Sequence, residues 1–227
     1  MYDWVTHTWN PIRGECPHRC TYCYMKGKPV GELRLDDEAL NDNLGSGRTI
    51  FVGSSVDMWH FDVPYAWIDK VLDRCWLSAE NLFLFQTKNP ARYQYMPIPE
   101  NATLGVTLET NRATDEFSRA PAPVERAAMM GGITFRKKMV SIEPVMDFDI
   151  AEILRWITEW IQPVFVSIGA DTRGCKLPEP PPGKLRELID ELRKITEVRL
   201  KANLRRILNG PTRTGKEKSR CCSLNPL

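Results

Sequence analysis

The sequence has no apolar run approaching the roughly 20 residues that a membrane span needs, and no basic stretch leading into an apolar one at its N-terminus. These absences set aside a spanning helix and a secretory signal, so the chain is expected to be cytoplasmic, with no membrane partner. No sign of charge dominates: 31 Lys and Arg against 29 Asp and Glu leave a net +2, which supplies no global attraction to nucleic acid. The cysteines lack an even pairing. Seven in 227 residues do not make the disulfide framework of a small secreted domain. No internal sequence repeat is visible beyond an alternation of strand-like and helix-like patterns.

That alternation carries the fold. Runs rich in β-branched and aromatic residues predict strands at Trp4–Thr8, Thr49–Gly53, Leu82–Gln86, Thr103–Leu108, Lys138–Ile142, Pro163–Ile168 and Val198–Lys201. Apolar residues at helical spacing predict helices at Pro64–Ala79, Asp149–Ile161 and Lys184–Ile195, with shorter ones at Leu33–Leu44 and Asn203–Leu208. Arg112–Met130 is helical at both ends and interrupted by Ala120-Pro121-Ala122-Pro123.

Six or seven strand–helix repeats imply an α/β fold, a parallel sheet with helices packed outside. The strand ends favour a barrel over a doubly wound sheet. Gln86 and Lys88 share one face while Phe83 and Phe85 share the other; Thr107 and Glu109 oppose Val106 and Leu108; Ser141 and Glu143 oppose Val140 and Ile142. Doubly wound sheets are apolar on both faces. A face that grows polar toward the C-terminal ends suits the mouth of a barrel, where active sites of such folds gather.

The segment Gly14-Glu-Cys-Pro-His-Arg-Cys-Thr-Tyr-Cys-Tyr-Met-Lys-Gly27 crowds Cys16, Cys20 and Cys23 into a C-x3-C-x2-C triplet, with no second C-x2-C downstream. Clustered thiols in a reducing compartment hold a metal or do chemistry. Zinc needs a fourth ligand, for which His7, His18 and His60 are the available histidines. A [4Fe–4S] cluster held by three thiolates keeps one iron open.

At these residues the sequence resembles the radical S-adenosylmethionine (radical SAM) superfamily, with Tyr22 as the aromatic before the last cysteine. The surrounding TWNPIRGECPHRCTYCYMKG is similar to a phage- and archaea-associated branch, distantly related to spore photoproduct lyases. The resemblance extends over about residues 1 to 205 and implies a partial (β/α)6–7 TIM-type barrel with parallel strands. It implies a [4Fe–4S] cluster on Cys16, Cys20 and Cys23, S-adenosylmethionine on the open iron, and reductive cleavage to a 5′-deoxyadenosyl radical that abstracts hydrogen. An external one-electron reductant of flavodoxin or ferredoxin type is the implied partner. Tyr22 joins the expected cofactor-binding residues. So do Gly53, Ser54, Ser55 and Asp57, which stand where the superfamily usually has a Gly-Gly-Glu-like segment; an ordinary turn with helix-capping residues is the alternative.

Glu109 and Asn111, after the fourth strand, are candidates for the ribose of the cofactor, against a helix-capping role. Lys88 and Glu143 are further cofactor candidates, or a pair inside the barrel; Lys201 and Asp171 stand in similar places. Cys175, after the sixth strand, is the candidate hydrogen donor to a product radical, or an idle loop thiol. Cys75 reads as core, and Cys221 and Cys222 receive no role. Trp9, Tyr24, Trp59 and His60 stand near the mouth, where they either stack a ring or pack.

Domain organisation is read as one core, residues 1–210, and a basic, mobile tail, 211–227. Arg199, Lys201, Arg205, Arg206, Arg213, Lys216, Lys218 and Arg220 crowd the last thirty residues, a solvated face or a strip for nucleic acid. The expected function is radical modification or repair of a nucleobase-containing substrate. The alternatives are a peptide or metabolite substrate, and a metal-stabilised binding module without catalysis.

Overall fold

A computed structural model of the chain describes residues 2–135 and 137–210. The tail expected from Pro211, with Arg213, Lys216, Lys218, Arg220, Cys221 and Cys222, lies outside the described residues.

Strand β1 (His7–Trp9) is followed by two short strands, β2 (Ile12–Arg13) and β3 (Arg34–Leu35), and one helical turn, α1 (Asp37–Leu40). Strand and helix then alternate: β4 (Thr49–Val52), α2 (Tyr65–Trp76), β5 (Leu82–Thr87), a 3-10 segment (Pro90–Tyr95), β6 (Ala102–Thr107), α3 (Pro123–Gly131), β7 (Lys138–Ile142), α4 (Ile150–Arg155), β8 (Phe165–Ile168), α5 (Pro182–Arg193), β9 (Glu197–Leu200) and α6 (Arg205–Leu208).

Seven strands form one parallel sheet in the order β1-β4-β5-β6-β7-β8-β9. Each strand adds on the same side of the last. A doubly wound sheet reverses direction at a switch point; this one never does, so its helices cover one face. The product is a partial barrel, open between β1 and β9.

The two faces bury different sets. Outward-facing Ile50, Val52, Phe83, Phe85, Leu104, Val106, Val140, Ile142, Val166 and Ile168 join the apolar faces of α2 (Ile68, Val71, Leu72, Cys75) and α5 (Leu185, Leu188, Ile189, Leu192) in one continuous core. Each such side chain contributes about 1.5–3 kcal/mol on burial. The inner face holds a smaller cluster in which Leu84, Met139 and Phe165 meet Tyr2 and Val5 from the N-terminal segment. Tyr2 donates its hydroxyl to Gln86 Oε1 at 2.6 Å and lies 2.9 Å from Ser141 Oγ. Above this plug the inner face turns polar, as the strand-end pattern predicts. None of the described helices is long and apolar enough to cross a membrane.

Three expectations change. The first strand begins at His7 rather than Trp4, because Tyr2, Trp4 and Val5 turn inward to fill the barrel. Arg112–Met130 is helical only from Pro123: the prolines cannot donate to a helix before them, and Pro123 takes the first helical position, where its missing N–H costs nothing. Leu33–Leu44 keeps a single turn, because Arg34 and Leu35 pair as β3 with Arg13 and Ile12. The helix expected at Asp149–Ile161 holds its length, with π-helical backbone from Trp156 to Ile161.

Candidate functional site

The antiparallel pair β2–β3 closes the base of the cysteine loop. Gly14 opens that loop at φ +118°, and a Cβ there would overlap the backbone carbonyl of Glu32, so only glycine lets the two arms approach. Inside the loop, tight turns join Arg19 N to Cys16 O (3.1 Å), Cys23 N to Cys20 O (3.1 Å) and Lys26 N to Cys23 O (3.0 Å). The proline-broken segment before α3 serves as its bed: Thr21 N donates to Phe117 O and Arg119 N to His18 O, both at 2.8 Å. Arg173 clamps the far side through Cys23 O at 2.7 Å.

Cys16, Cys20 and Cys23 are half-buried thiols on one wall of a cleft of about 410 Å³ at the C-terminal ends of the strands. Tyr22, Gly53, Ser54, Ser55, Asp57, Lys88 and Glu143 line the same cleft, with Tyr2, Gln86, Thr107, Asp171 and Lys201. The three cysteines and seven of the nine residues expected to bind the cofactor therefore come together. Glu109, Asn111 and Cys175 are not among the lining residues.

Two of the three sulfurs have hydrogen-bond partners. Cys20 Sγ lies 3.2 Å from Ser118 Oγ. Burial, reinforced by the Asp57 carboxylate, pushes the Cys16 thiol up to about 12, and backbone N–H groups of Asp57 and His18 work against that rise. N–H donors aimed at a cysteine sulfur stabilise its thiolate, the form that ligates a metal. Among the described residues, no three His, Cys, Asp or Glu side chains gather as the ligands of a single metal ion. The donor set is three thiols lining one cleft, two of them with hydrogen-bond partners, and it suits an iron–sulfur cluster.

Asp57 lines the cleft, but its carboxylate is committed. It accepts from His18 Nε2, Thr87 Oγ1 and Lys88 N, each at 2.8 Å, and from Trp59 N at 3.0 Å. Burial works against its charge, and these donors, His18 foremost, hold its pKa below the usual carboxylate range. The neighbouring turn is equally determined. Gly53 sits at φ +74°, with Val56 O 3.2 Å from where a Cβ would stand; Ser54 Oγ and Ser55 N both donate to Asn10 Oδ1.

Glu109 sits beneath the cleft rather than at its mouth and is fully buried. Its oxygens meet Arg126 Nη1 at 2.7 Å, Lys88 Nζ at 3.2 Å and the Tyr22 hydroxyl. Burial opposes its charge, yet Arg126, then Lys88, bring its pKa down to about 2. A carboxylate with three partners and no exposure has nothing left for a ribose. Asn111 exchanges hydrogen bonds with Asp149 backbone and brackets the start of α4. Cys175 packs against Tyr22, Met146 and Leu177, held by its own N–H on Asp171 Oδ2 at 2.5 Å.

Glu143 does not pair with Lys88; it pairs with Lys201 at 2.5 Å, and Lys201 lies over the Tyr2 ring at 4.1 Å. Of the mouth aromatics, Trp9 and Trp59 are core, whereas Tyr24 is half exposed at the rim, with Lys28 over its ring. Arg206 is tied to Glu179 and the Asp171 carbonyl. Tyr2, Arg126 and Ser118 escaped sequence reading: none belongs to a motif, and each gains its role from a partner distant in sequence.

Known structures share this architecture. A spore photoproduct lyase mutant with bound AdoMet and dinucleoside spore photoproduct aligns at TM-score 0.56 and 12% identity, over 83% of this chain and 61% of its own. The lyase complexed with dinucleoside spore photoproduct aligns at 0.54 and 12%, over 82% and 60%. Streptococcus suis SuiB bound to S-adenosylmethionine aligns at 0.53 and 12%, over 87% and 50%. At that identity the likeness is one of fold, which is radical-SAM-like, and the chain spans between half and about three fifths of those proteins. No curated protein matches the sequence. The family described as "Protein of unknown function (DUF5131)" matches residues 1–161.

Proposed function

The chain belongs to the DUF5131 family, and from its cleft we propose that it is a radical SAM enzyme. The observation that carries this reading is the meeting of the C-x3-C-x2-C thiols with the Gly53–Asp57 turn and polar strand ends in one cleft, within a radical-SAM-like fold. Cys16, Cys20 and Cys23 are the residues to hold a [4Fe–4S] cluster. Such a cluster, if bound there, would supply one-electron chemistry for the reductive cleavage of S-adenosylmethionine to a 5′-deoxyadenosyl radical that would abstract hydrogen from the substrate.

The chain's own residues bind and orient. The Gly53 turn brings bare backbone to the cleft wall for close approach by the methionine moiety. Lys88 presents a cation to an anionic group, and Glu143 with Lys201 offers an acceptor and a donor on the opposite side. Tyr2, Leu84, Met139 and Phe165 seal the floor against water. Tyr22 acts from the loop, its ring against Lys88 and its hydroxyl on Glu109.

The substrate reading is a nucleobase-containing compound. Two observations support it: the dinucleoside carried by the similar lyase, and the half-exposed Tyr24 at the rim with a lysine over its ring, a stacking surface with a cation beside it. An external one-electron reductant of flavodoxin or ferredoxin type would supply the electron.

The test is anaerobic incubation of reconstituted protein with S-adenosylmethionine and dithionite. 5′-Deoxyadenosine and methionine should form in equal amounts; their absence from well-loaded, reduced protein overturns the reading.

A further inference from the structure

The buried ion cluster beneath the cysteine loop is not charge-balanced. Glu109 supplies one carboxylate, and Arg126 and Lys88 supply two cations. Arg126 is fully enclosed and is also held by the Thr107 carbonyl at 2.6 Å, so Glu109 and Arg126 form a closed pair on their own. Lys88 is the surplus. Its side chain lines the cleft that Cys20 also lines, with the ammonium 5.5 Å from the centre of the Tyr22 ring, and Tyr22 packs with Cys20. Burial works against the Lys88 charge, and Glu109 and the Cys20 sulfur more than restore it.

The other carboxylate nearby, Asp57, accepts from His18, Thr87, Trp59 N and Lys88 N, and the sulfur it acts on is Cys16. The loop thus has a carboxylate acting on its first thiol and an ammonium acting on its second. A buried unmatched charge is costly unless an anion shares its surroundings. Three thiolates on a [4Fe–4S] core carry net negative charge, and a further electron adds to it.

We infer that Lys88 is a positioning residue whose surplus charge raises the reduction potential of the group on Cys16, Cys20 and Cys23, and that Glu109, Arg126 and Tyr22 hold it in place for that purpose. The inference rests on the radical SAM reading. In it, Lys88 would be a fixed cation near the group that takes up the external donor's electron. Charge beside the sulfurs is among the terms that set such potentials.

The test is a potentiometric titration of reconstituted protein, followed by EPR and without S-adenosylmethionine, so that any contact of Lys88 with that ligand does not enter. Lys88→Met removes the charge and leaves Glu109 with Arg126 and Tyr22; Lys88→Arg keeps the charge. At a fixed potential near the wild-type midpoint, Lys88→Met should lower the reduced-to-oxidised ratio by about tenfold, or about 59 mV for one electron, and Lys88→Arg should restore most of it. A fully loaded Lys88→Met with the wild-type midpoint overturns the inference and leaves the radical SAM reading standing. A wild type that binds no cluster overturns both. If Lys88→Met fails to load, loading in Lys88→Arg shows the same need for charge and supports the inference; failure in both means a packing role and overturns it.

Discussion

His18 Nε2 lies 2.8 Å from Asp57 Oδ2, joining a residue inside the cysteine triplet to the turn after β4, 39 positions away. Both side chains are buried. Through Asp57, which also binds the end of β5 by Thr87 and Lys88 N, the loop is anchored to two strands before any ligand arrives.

Asp57→Ala should therefore destabilise the protein without metal, by roughly 3–5 kcal/mol, the usual cost of stripping one partner from a buried pair. Asp57→Asn keeps an acceptor and should cost less. Urea unfolding of the apo protein measures both. A loss under about 1 kcal/mol for the alanine variant would mean that the loop is held by its backbone contacts alone.

The Glu109 cluster predicts an acid limb. Its folded pKa of about 2 lies below the unfolded value of about 4.3. The stabilisation is thus complete above pH 4.3 and lost as pH falls toward 2; its full size is about 3 kcal/mol. Glu109→Gln should flatten the stability curve across that window and lower stability at neutral pH, where Arg126 loses its partner. An unchanged acid limb in the variant, followed by circular dichroism against pH, would assign acid unfolding to other carboxylates.

Gly53→Ala tests the turn opposite the thiols. The left-handed backbone costs about 1–2 kcal/mol for a residue with a Cβ, and that Cβ would press on Val56 O. The variant should fold, with its stability down by about that amount and its affinity for S-adenosylmethionine reduced. Calorimetric binding that matches wild type would remove the turn from the cofactor's path.

The layered fold was legible because β4 to β9 and helices α2 and α5 obey simple periods. Phe83 and Phe85 face the helices, and Gln86 faces the cleft, as alternation demands. The cysteine wall was legible as a motif. What escaped depends on partners far apart in the chain. Nothing in the local sequence of Glu109 tells that Arg126 lies on one side of it and Lys88 on the other, so a strand-end carboxylate reads as a ligand contact when it is a buried anchor. Tyr2 belongs to no periodic element, yet it fills the barrel because an open sheet leaves a hole that its neighbours cannot close. Cys175 follows a strand on the expected side, but its N–H is held by Asp171 and it packs against Tyr22, Met146 and Leu177 instead of lining the cleft.

If the rim takes a nucleobase, Tyr24→Ala should weaken binding of single-stranded nucleic acid by roughly five- to hundredfold, the range of one base–aromatic stack. Affinity should fall by about 0.7 log units per log unit of salt for each phosphate neutralised. Charge reversal at Arg205 should lower that slope. Arg206 is a poor probe, since its guanidinium already serves Glu179. Gel-shift titrations across salt decide; no binding in the micromolar range at low salt would favour a peptide or metabolite substrate.

The central claim is that three cysteines hold a cluster that leaves one iron to S-adenosylmethionine. The EPR spectrum of anaerobically reconstituted, dithionite-reduced protein, recorded with and without S-adenosylmethionine, tests it most directly. The account predicts about four iron and four sulfide per chain, a reduced-cluster signal that changes on addition of S-adenosylmethionine, and neither iron nor signal when Cys16, Cys20 and Cys23 are replaced together by Ala. A fully loaded, reduced protein whose spectrum is the same with and without S-adenosylmethionine, or a triple variant that keeps its iron and sulfide, would contradict it.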